Sequence, residues 1–299
     1  MRIPLVASRL KENKGLTLIE LLVAMAISGI LIAMVYRTFI GQHKTYAVQE
    51  QVVDMQQNVR VAINRMMKEI RMAGFGNVSM VLPNFRIIGG QLDNIVTPSN
   101  NRNNVGQNDD QITIIGGYEQ ISTLASVPPP GTNAIQLAGR ASEFDDNYRK
   151  YICIGGLESH TIAAKGVDST TNTITFVNND NVVNKFPVGT PVFKVKAITY
   201  RLRWDNNSPG MPVLTREDNT DGGGSQVVAE NIENLQFRYT LNEGSESDLP
   251  ADPSRIRMVR VTINARTRMS DSELKMETGG FRRRTIASNI LVRNMMFGP

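Results

Sequence analysis

The sequence predicts an α+β protein in which a long N-terminal hydrophobic helix packs on an antiparallel β-sheet head with an inserted β-rich region. Two observations predict this fold class. The first is an apolar run from Leu16 to Tyr36 that continues into a helix-periodic pattern. The second is a change after Gly76 to short apolar alternations separated by turn residues, which is typical of β-strands. At 299 residues the chain is long enough to bury a substantial core.

The apolar run from Leu16 to Tyr36 has about the length of a helix that crosses a bilayer. The basic residues that precede it are Arg2, Arg9, Lys11 and Lys14. Because basic residues stay in the cytoplasm, we expect the chain after Tyr36 to lie on the far side of the membrane. A secretory signal peptide is cut after its apolar region, whereas here the junction of polar and apolar sequence, Gly15 to Leu16, comes before it.

Glu20 is the one charged residue inside the apolar run. A carboxylate at the centre of a bilayer costs about 2.5–3.5 kcal/mol on insertion scales, so it needs a partner or a function. The alternative is a tolerated charge at the membrane interface, because Glu20 is only a few residues into the run. The residues alone leave both interpretations open.

A helical stripe of apolar residues follows the run and predicts an amphipathic helix that continues to Ala73. The stripe consists of Val48, Val52, Met55, Val59, Ile63, Met66 and Ile70. Steps of three and four residues place these side chains on one face, which we expect to pack against the head. Arg65 and Glu69 have the spacing of a helical ion pair, and Gly74-Phe75-Gly76 predicts the end of the helix.

The rest of the chain is predicted to form strands separated by polar loops rich in Gly and Pro. The predicted strands are Gln111–Gly116, Ala134–Leu137, Tyr151–Ile154, Thr173–Val177, Val192–Trp204, Val227–Thr240, Arg257–Arg266 and Ile286–Arg293. The predicted domain organisation is a leader (1–15), the transmembrane half of the helix (16–36), its amphipathic periplasmic half (37–76), an inserted β-rich region (77–191) and a C-terminal β-sheet (192–299).

The composition argues against several classes of functional site. Cys153 is the one cysteine, so no intrachain disulfide can form, and its neighbours Ile152 and Ile154 predict a buried side chain. Two histidines, His43 and His160, leave little material for a zinc site or a histidine-based catalytic triad. The sequence contains no glycine-rich phosphate loop and no nucleophile motif. We therefore predict no enzymatic activity, no metal and no cofactor.

The stretch Lys14-Gly15-Leu16-Thr17-Leu18-Ile19-Glu20, followed by the apolar helix, resembles the prepilin cleavage and methylation motif of type IV pilins and type II secretion pseudopilins. The resemblance implies a class III leader that a prepilin peptidase cuts after Gly15, and N-methylation of Leu16. The usual first mature residue is phenylalanine, so Leu16 departs from the pattern. The resemblance also implies that Glu20 serves subunit assembly by neutralising the amino terminus of a neighbouring subunit.

Segments in the C-terminal third and after the helix narrow this resemblance. They are Glu230–Tyr239, Ile256–Ile263, Phe281–Ile286 and Leu291–Asn294, together with Tyr46 and Arg71–Phe75. They resemble the PilW family of type IV pilus assembly proteins, which are minor pilins: subunits of low abundance that prime assembly or occupy the filament tip. The resemblance covers both ends of the chain well and residues 78–191 poorly.

This resemblance implies a set of partners and a location. The implied partners are prepilin peptidase, other minor and major pilins, the inner-membrane pilus assembly platform and, before assembly, membrane lipid. The implied location is the inner membrane, as a single-pass protein with its head in the periplasm, and afterwards the pilus filament at the cell surface. Roles in twitching motility, adhesion or DNA uptake would follow.

Two alternatives are open at this stage. A J-type minor pseudopilin of a type II secretion system shares the same general plan. A tip adhesin or DNA-binding pilin is favoured by the inserted region and by Arg282, Arg283 and Arg284, because clustered arginines bind phosphate backbones. The same cluster also starts the last predicted strand region, so we favour a structural or subunit-facing role for it over DNA as a partner.

Overall fold

A computed structural model describes residues 16–87, 90–102, 105, 108–145, 150–220, 224–271, 274 and 279–295. The chain divides into two compact units, 1–50 and 51–299. Helix α1 (Leu18–Met72) begins in the first unit and ends in the second.

Fifteen strands follow α1 in the described part of the chain. They are β1 (Arg86–Ile87), β2 (Gly90–Gln91), β3 (Val96–Ser99), β4 (Gln111–Thr123), β5 (Ala134–Gln136), β6 (Tyr151–Ile154), β7 (Glu158–Asp168), β8 (Thr173–Phe176), β9 (Pro191–Trp204), β10 (Pro212–Asp218), β11 (Ser225–Glu230), β12 (Ile232–Leu241), β13 (Glu246–Ser247), β14 (Ile256–Arg266) and β15 (Arg283–Leu291).

The strands form two main antiparallel sheets. Nine strands make up the larger one, in which the path β11-β10-β9-β6-β7-β8-β5 is joined by β4 and β3. Strand β9 is its centre: β4 pairs along one edge, and β6 and β10 share the other. The smaller sheet has the order β13-β12-β14-β15, and β1 and β2 form a separate pair. The predicted α+β class, with one long N-terminal helix followed by antiparallel sheets, is confirmed.

The second half of α1 contributes one face to a core that both sheets share. The buried residues of α1 are Met55, Val59, Ala62, Ile63, Met66 and Ile70, which include five of the seven predicted stripe positions. The same cluster contains Ile198 from the larger sheet and Val261 from the smaller one. Each such side chain contributes about 1.5–3 kcal/mol when it is fully removed from water. Burial of the stripe therefore holds this face of the helix against the shared core.

The C-terminal end of α1 lies where the glycines predict it. Gly74 and Gly76 have φ values of +81° and +97°, in the left-handed region that glycine adopts without strain. The amide of Gly74 donates to the carbonyl of Ile115 at 2.8 Å, so the turn that ends the helix is bonded to β4. A Cβ at Gly76 would lie 2.5 Å from the Sγ of Cys153, so a side chain is excluded there.

Cys153 is fully buried beneath this turn, as predicted. Burial raises the pKa of its thiol to about 11, and hydrogen bonds from Gly156 and Ser159 oppose this only in part. The thiol therefore stays protonated at neutral pH and acts as a small apolar side chain.

The prediction of one strand over Val227–Thr240 is wrong. The structure has two strands there, because Asn231 adopts φ +58° and turns the chain between them. Strand β11 pairs with β10 in the larger sheet, and β12 pairs with β14 in the smaller one. The local apolar pattern is continuous across this point, so it could not show that the chain changes sheets.

The predicted division at residue 191 coincides with the start of β9. Strand β9 pairs with β4 and β6, which precede the division. Ile112 and Ile114 of β4 also lie in the core that contains α1. The domain boundaries stay a prediction, and the strands on the two sides of residue 191 share one sheet and one core.

Candidate assembly site at the N-terminus

The first described residues form a capping box at the start of α1. The amide of Glu20 donates to Thr17 Oγ1 at 3.3 Å. In return, Glu20 Oε2 accepts from the Thr17 amide at 3.0 Å and from Thr17 Oγ1 at 2.9 Å. A Thr-x-x-Glu spacing allows these reciprocal bonds because it places a hydroxyl and a carboxylate over the unpaired amides of the first turn.

The capping box gives the Glu20 carboxylate a defined orientation. The carboxylate is folded back over Thr17, the residue that follows Leu16, and lies beside the first turn of α1. A cap of this kind stabilises a helix start by about 1 kcal/mol. Glu20 therefore caps the helix, a role that the Thr17-x-x-Glu20 spacing indicates and that was not predicted beside its role in assembly.

The described N-terminal half of the helix exposes an unusually apolar surface. Leu16, Leu18 and Ile19 are between 70% and 78% exposed, and large apolar side chains continue to be exposed through Tyr36. The helix is long and apolar enough to cross a membrane, by length and composition. A surface of this kind needs lipid or other protein around it, because a continuous apolar patch is unfavourable in water.

The predicted cleavage position is only partly within the described residues. Gly15 lies outside them, and Leu16 is the first residue that the structure describes. The peptidase cut and the methylation of Leu16 therefore stay predictions about chemistry. Leu16 is highly exposed and precedes the helix, which starts at Leu18.

Residues 10–36 match the family model of the prokaryotic N-terminal methylation motif. The match supports a type IV pilin-like prepilin. This supports processing by prepilin peptidase, assembly with other pilins and a structural rather than an enzymatic protein. The match covers the leader junction and the apolar run, which pilins and pseudopilins share. No curated protein and no solved structure matches the chain significantly.

The predicted arginine cluster is largely engaged in ion pairs. Arg282 contacts Asp271 at 2.9 Å, and Arg283 contacts Glu233 at 2.6 Å. Arg284 is exposed at the start of β15. Two of the three positive charges thus face a carboxylate, which lowers the local potential available to a phosphate backbone. Surface binding through this cluster stays a prediction.

Glu69 lies in a polar cluster that fixes the second half of α1 on the larger sheet. Its carboxylate accepts from the hydroxyl of Tyr200 at 2.7 Å and from Nε of Arg216 at 2.9 Å. Glu69 and Arg216 are 13% and 12% exposed, so water screens this pair weakly. Burial, followed by the charge of Glu69, raises the pKa of Tyr200 well above its usual value, so Tyr200 remains a donor.

The predicted Arg65–Glu69 ion pair is therefore wrong. Glu69 faces the sheet and pairs with Arg216, whereas Arg65 donates to the side chain of Gln226 at 3.2 Å. Within the described residues, no group of three or more His, Cys, Asp or Glu side chains is arranged to hold a metal ion.

Proposed function

We propose that the chain is a minor pilin of a type IV pilus, of the PilW family, that initiates pilus assembly or occupies the filament tip. The observation that carries the proposal is the match to the methylation motif at residues 10–36, which includes Gly15, Leu16 and Glu20. The similarity of the C-terminal segments to the PilW family favours the minor-pilin role over a major subunit.

The exposed apolar half of α1 supports a two-stage pathway. Before assembly, lipid of the inner membrane surrounds the apolar run from Leu16 to Tyr36, and the head lies in the periplasm. After cleavage, the same surface packs against the helices of neighbouring subunits, which replace the lipid. The peptidase, the assembly platform and the other pilins are the partners that this pathway requires.

In this pathway, Glu20 sets the axial register between the helices of neighbouring subunits. Cleavage after Gly15 creates a positive amino group on Leu16 in an apolar environment. A buried ion pair adds little net stability over apolar packing, but a buried charge without its partner is costly. Only one stagger of adjacent helices brings the carboxylate of one subunit to the amino group of the next, so the pair selects that stagger.

The experiment that tests this function is an in-frame deletion of the coding sequence, complemented with the wild-type chain. We expect the number of surface filaments to fall strongly in the deletion strain and to recover on complementation, while secretion of type II substrates stays normal. Loss of secretion with normal filament number would contradict the proposal and favour the J-type pseudopilin. Normal filaments and normal secretion would contradict both.

A further inference from the structure

The outer edge of β15 is open in the part of the chain that the structure describes. The smaller sheet ends at β15, which pairs with β14 on its inner side. This pairing runs without a register shift from Arg283 opposite Arg266 to Leu291 opposite Met258. Most residues of β15 are exposed. The strand is therefore a long, regular sheet edge that faces solvent.

Hydrogen bonds at both ends of β15 show which backbone groups face outward. The amide of Val292 donates to the carbonyl of Arg257 at 2.9 Å, and the amide of Thr267 donates to the carbonyl of Arg282 at 2.9 Å. Inward and outward groups alternate along an antiparallel strand, so the even-numbered residues bond to β14. The N–H and C=O groups that point outward belong to Arg283, Thr285, Ala287, Asn289 and Leu291.

Other edge strands in the described part of the chain are short or interrupted. Short length and interruption are common protections of a sheet edge against unwanted pairing. Strand β5 has three residues and β13 has two. Strand β3 contains Pro98, and the pairing of β11 is broken by a register shift at Leu214/Thr215 of β10. Strand β15 has nine residues, no proline and no register shift, and it is uncharged from Thr285 to Leu291.

Positive charges stand at both ends of this uncharged stretch. Arg284 and Arg293 are exposed, and neither has an ion-pair partner among the described residues. They favour an incoming strand that carries carboxylates at its ends. A second copy of β15 lacks this complementarity, because β15 contains no Asp or Glu.

We propose that β15 binds an extended acidic segment of a partner protein, which adds to the smaller sheet as a fifth strand. The backbone groups of the odd-numbered residues provide the hydrogen bonds, and Arg284 and Arg293 select carboxylates at the ends of the segment. The inference goes beyond the proposed function and depends on neither Glu20 nor the leader. A negative result for strand addition at β15 would therefore not contradict the minor-pilin function, and the reverse also holds.

The test measures binding of fluorescent peptides to the full mature chain in detergent micelles. The probe is a short peptide of alternating valine and threonine with glutamate at both ends, and its control has lysine at the ends. We expect the acidic probe to bind about tenfold more tightly than the lysine probe. Ala287→Pro removes one outward N–H and should abolish binding, whereas Ala287→Ser should retain it.

Amide hydrogen exchange provides the structural signature. Bound acidic probe should protect the amides of Thr285, Ala287 and Asn289, while the amides of the even-numbered residues are protected with and without probe. If Ala287→Pro lowers the melting temperature, the double variant Arg284→Glu/Arg293→Glu replaces it in the binding test, because both side chains are exposed. This variant should lose the preference for the acidic probe over the lysine probe. Equal binding of the two probes, unchanged exchange, or pairing of β15 with a second copy of the chain would overturn the proposal.

Discussion

Replacement of Glu20 by alanine is expected to leave membrane insertion and cleavage intact and to exclude the chain from filaments. A neutral side chain enters a bilayer more easily than a carboxylate, so the precursor should reach the membrane and the peptidase. In the filament, the amino group of Leu16 would then lack its partner. A buried charge left unpaired costs about 3–5 kcal/mol, which corresponds to at least about a hundredfold loss of incorporation.

The capping box provides a matched control for this variant. Thr17→Val removes the hydroxyl that bonds to Glu20 at 2.9 Å and retains the carboxylate. We expect it to weaken the helix start by about 1 kcal/mol and to leave incorporation nearly normal. The measurement is the amount of mature chain in membrane and sheared-filament fractions. Normal incorporation of Glu20→Ala, or an equal loss in both variants, would contradict the register role of the carboxylate.

The second large effect is expected for Glu69→Ala, which should destabilise the head by about 3–5 kcal/mol. The substitution leaves the guanidinium of Arg216, which is 12% exposed, without the carboxylate 2.9 Å away. It also removes the acceptor of the Tyr200 hydroxyl. Arg65→Ala is the control on the same helix: Arg65 is exposed and makes one hydrogen bond, to Gln226, so its loss should change stability by only about 0.5 kcal/mol.

Urea unfolding of the mature chain, followed by fluorescence of Trp204, measures these differences. Trp204 is the one tryptophan and lies at the end of β9. The double variant Glu69→Leu/Arg216→Met should be more stable than Glu69→Ala, because it removes both charges and retains apolar volume, although the Tyr200 hydroxyl still lacks its acceptor. The importance of the cluster would be disproved by a loss below about 1 kcal/mol for Glu69→Ala. A double variant as unstable as the single one would also disprove it.

Local periodicity was sufficient to predict the helix and several strands. The expected helix, Leu16 to Ala73, agrees closely with α1 at Leu18–Met72, because its apolar stripe is long and ends at glycines. Strand β6 has the predicted bounds, Tyr151–Ile154. Both elements bury residues whose apolar character is visible in the sequence.

Strand β7 was missed because its buried positions include charged and polar side chains. His160 is fully buried, with Nδ1 2.6 Å from Asp180 and Nε2 3.2 Å from Glu158. Glu158 in turn accepts from the amide of Val183. Asp180 and Val183 lie 20 and 25 residues along the chain from His160 and Glu158, respectively. Local alternation therefore cannot show that these polar side chains find hydrogen-bond partners inside the fold.

The candidate site divides in the same way. The methylation motif, which contains Leu16 and Glu20, was recognisable because it depends on neighbouring residues. The ion pairs of Arg282 and Arg283 were not, because their partners Asp271 and Glu233 are brought together by the sheet. Sequence spacing shows which side chains could interact along one element, and long-range packing decides which of them do.

The most direct test of the central claim is mass spectrometry of the chain purified from membranes of its native host. We predict a mature chain that has lost residues 1–15 and begins with N-methylated Leu16, and accumulation of the full-length precursor when Gly15 is replaced by valine, because the peptidase must approach this backbone closely. A wild-type chain that retains its leader, or one cut after the apolar run, would contradict the assignment as a prepilin.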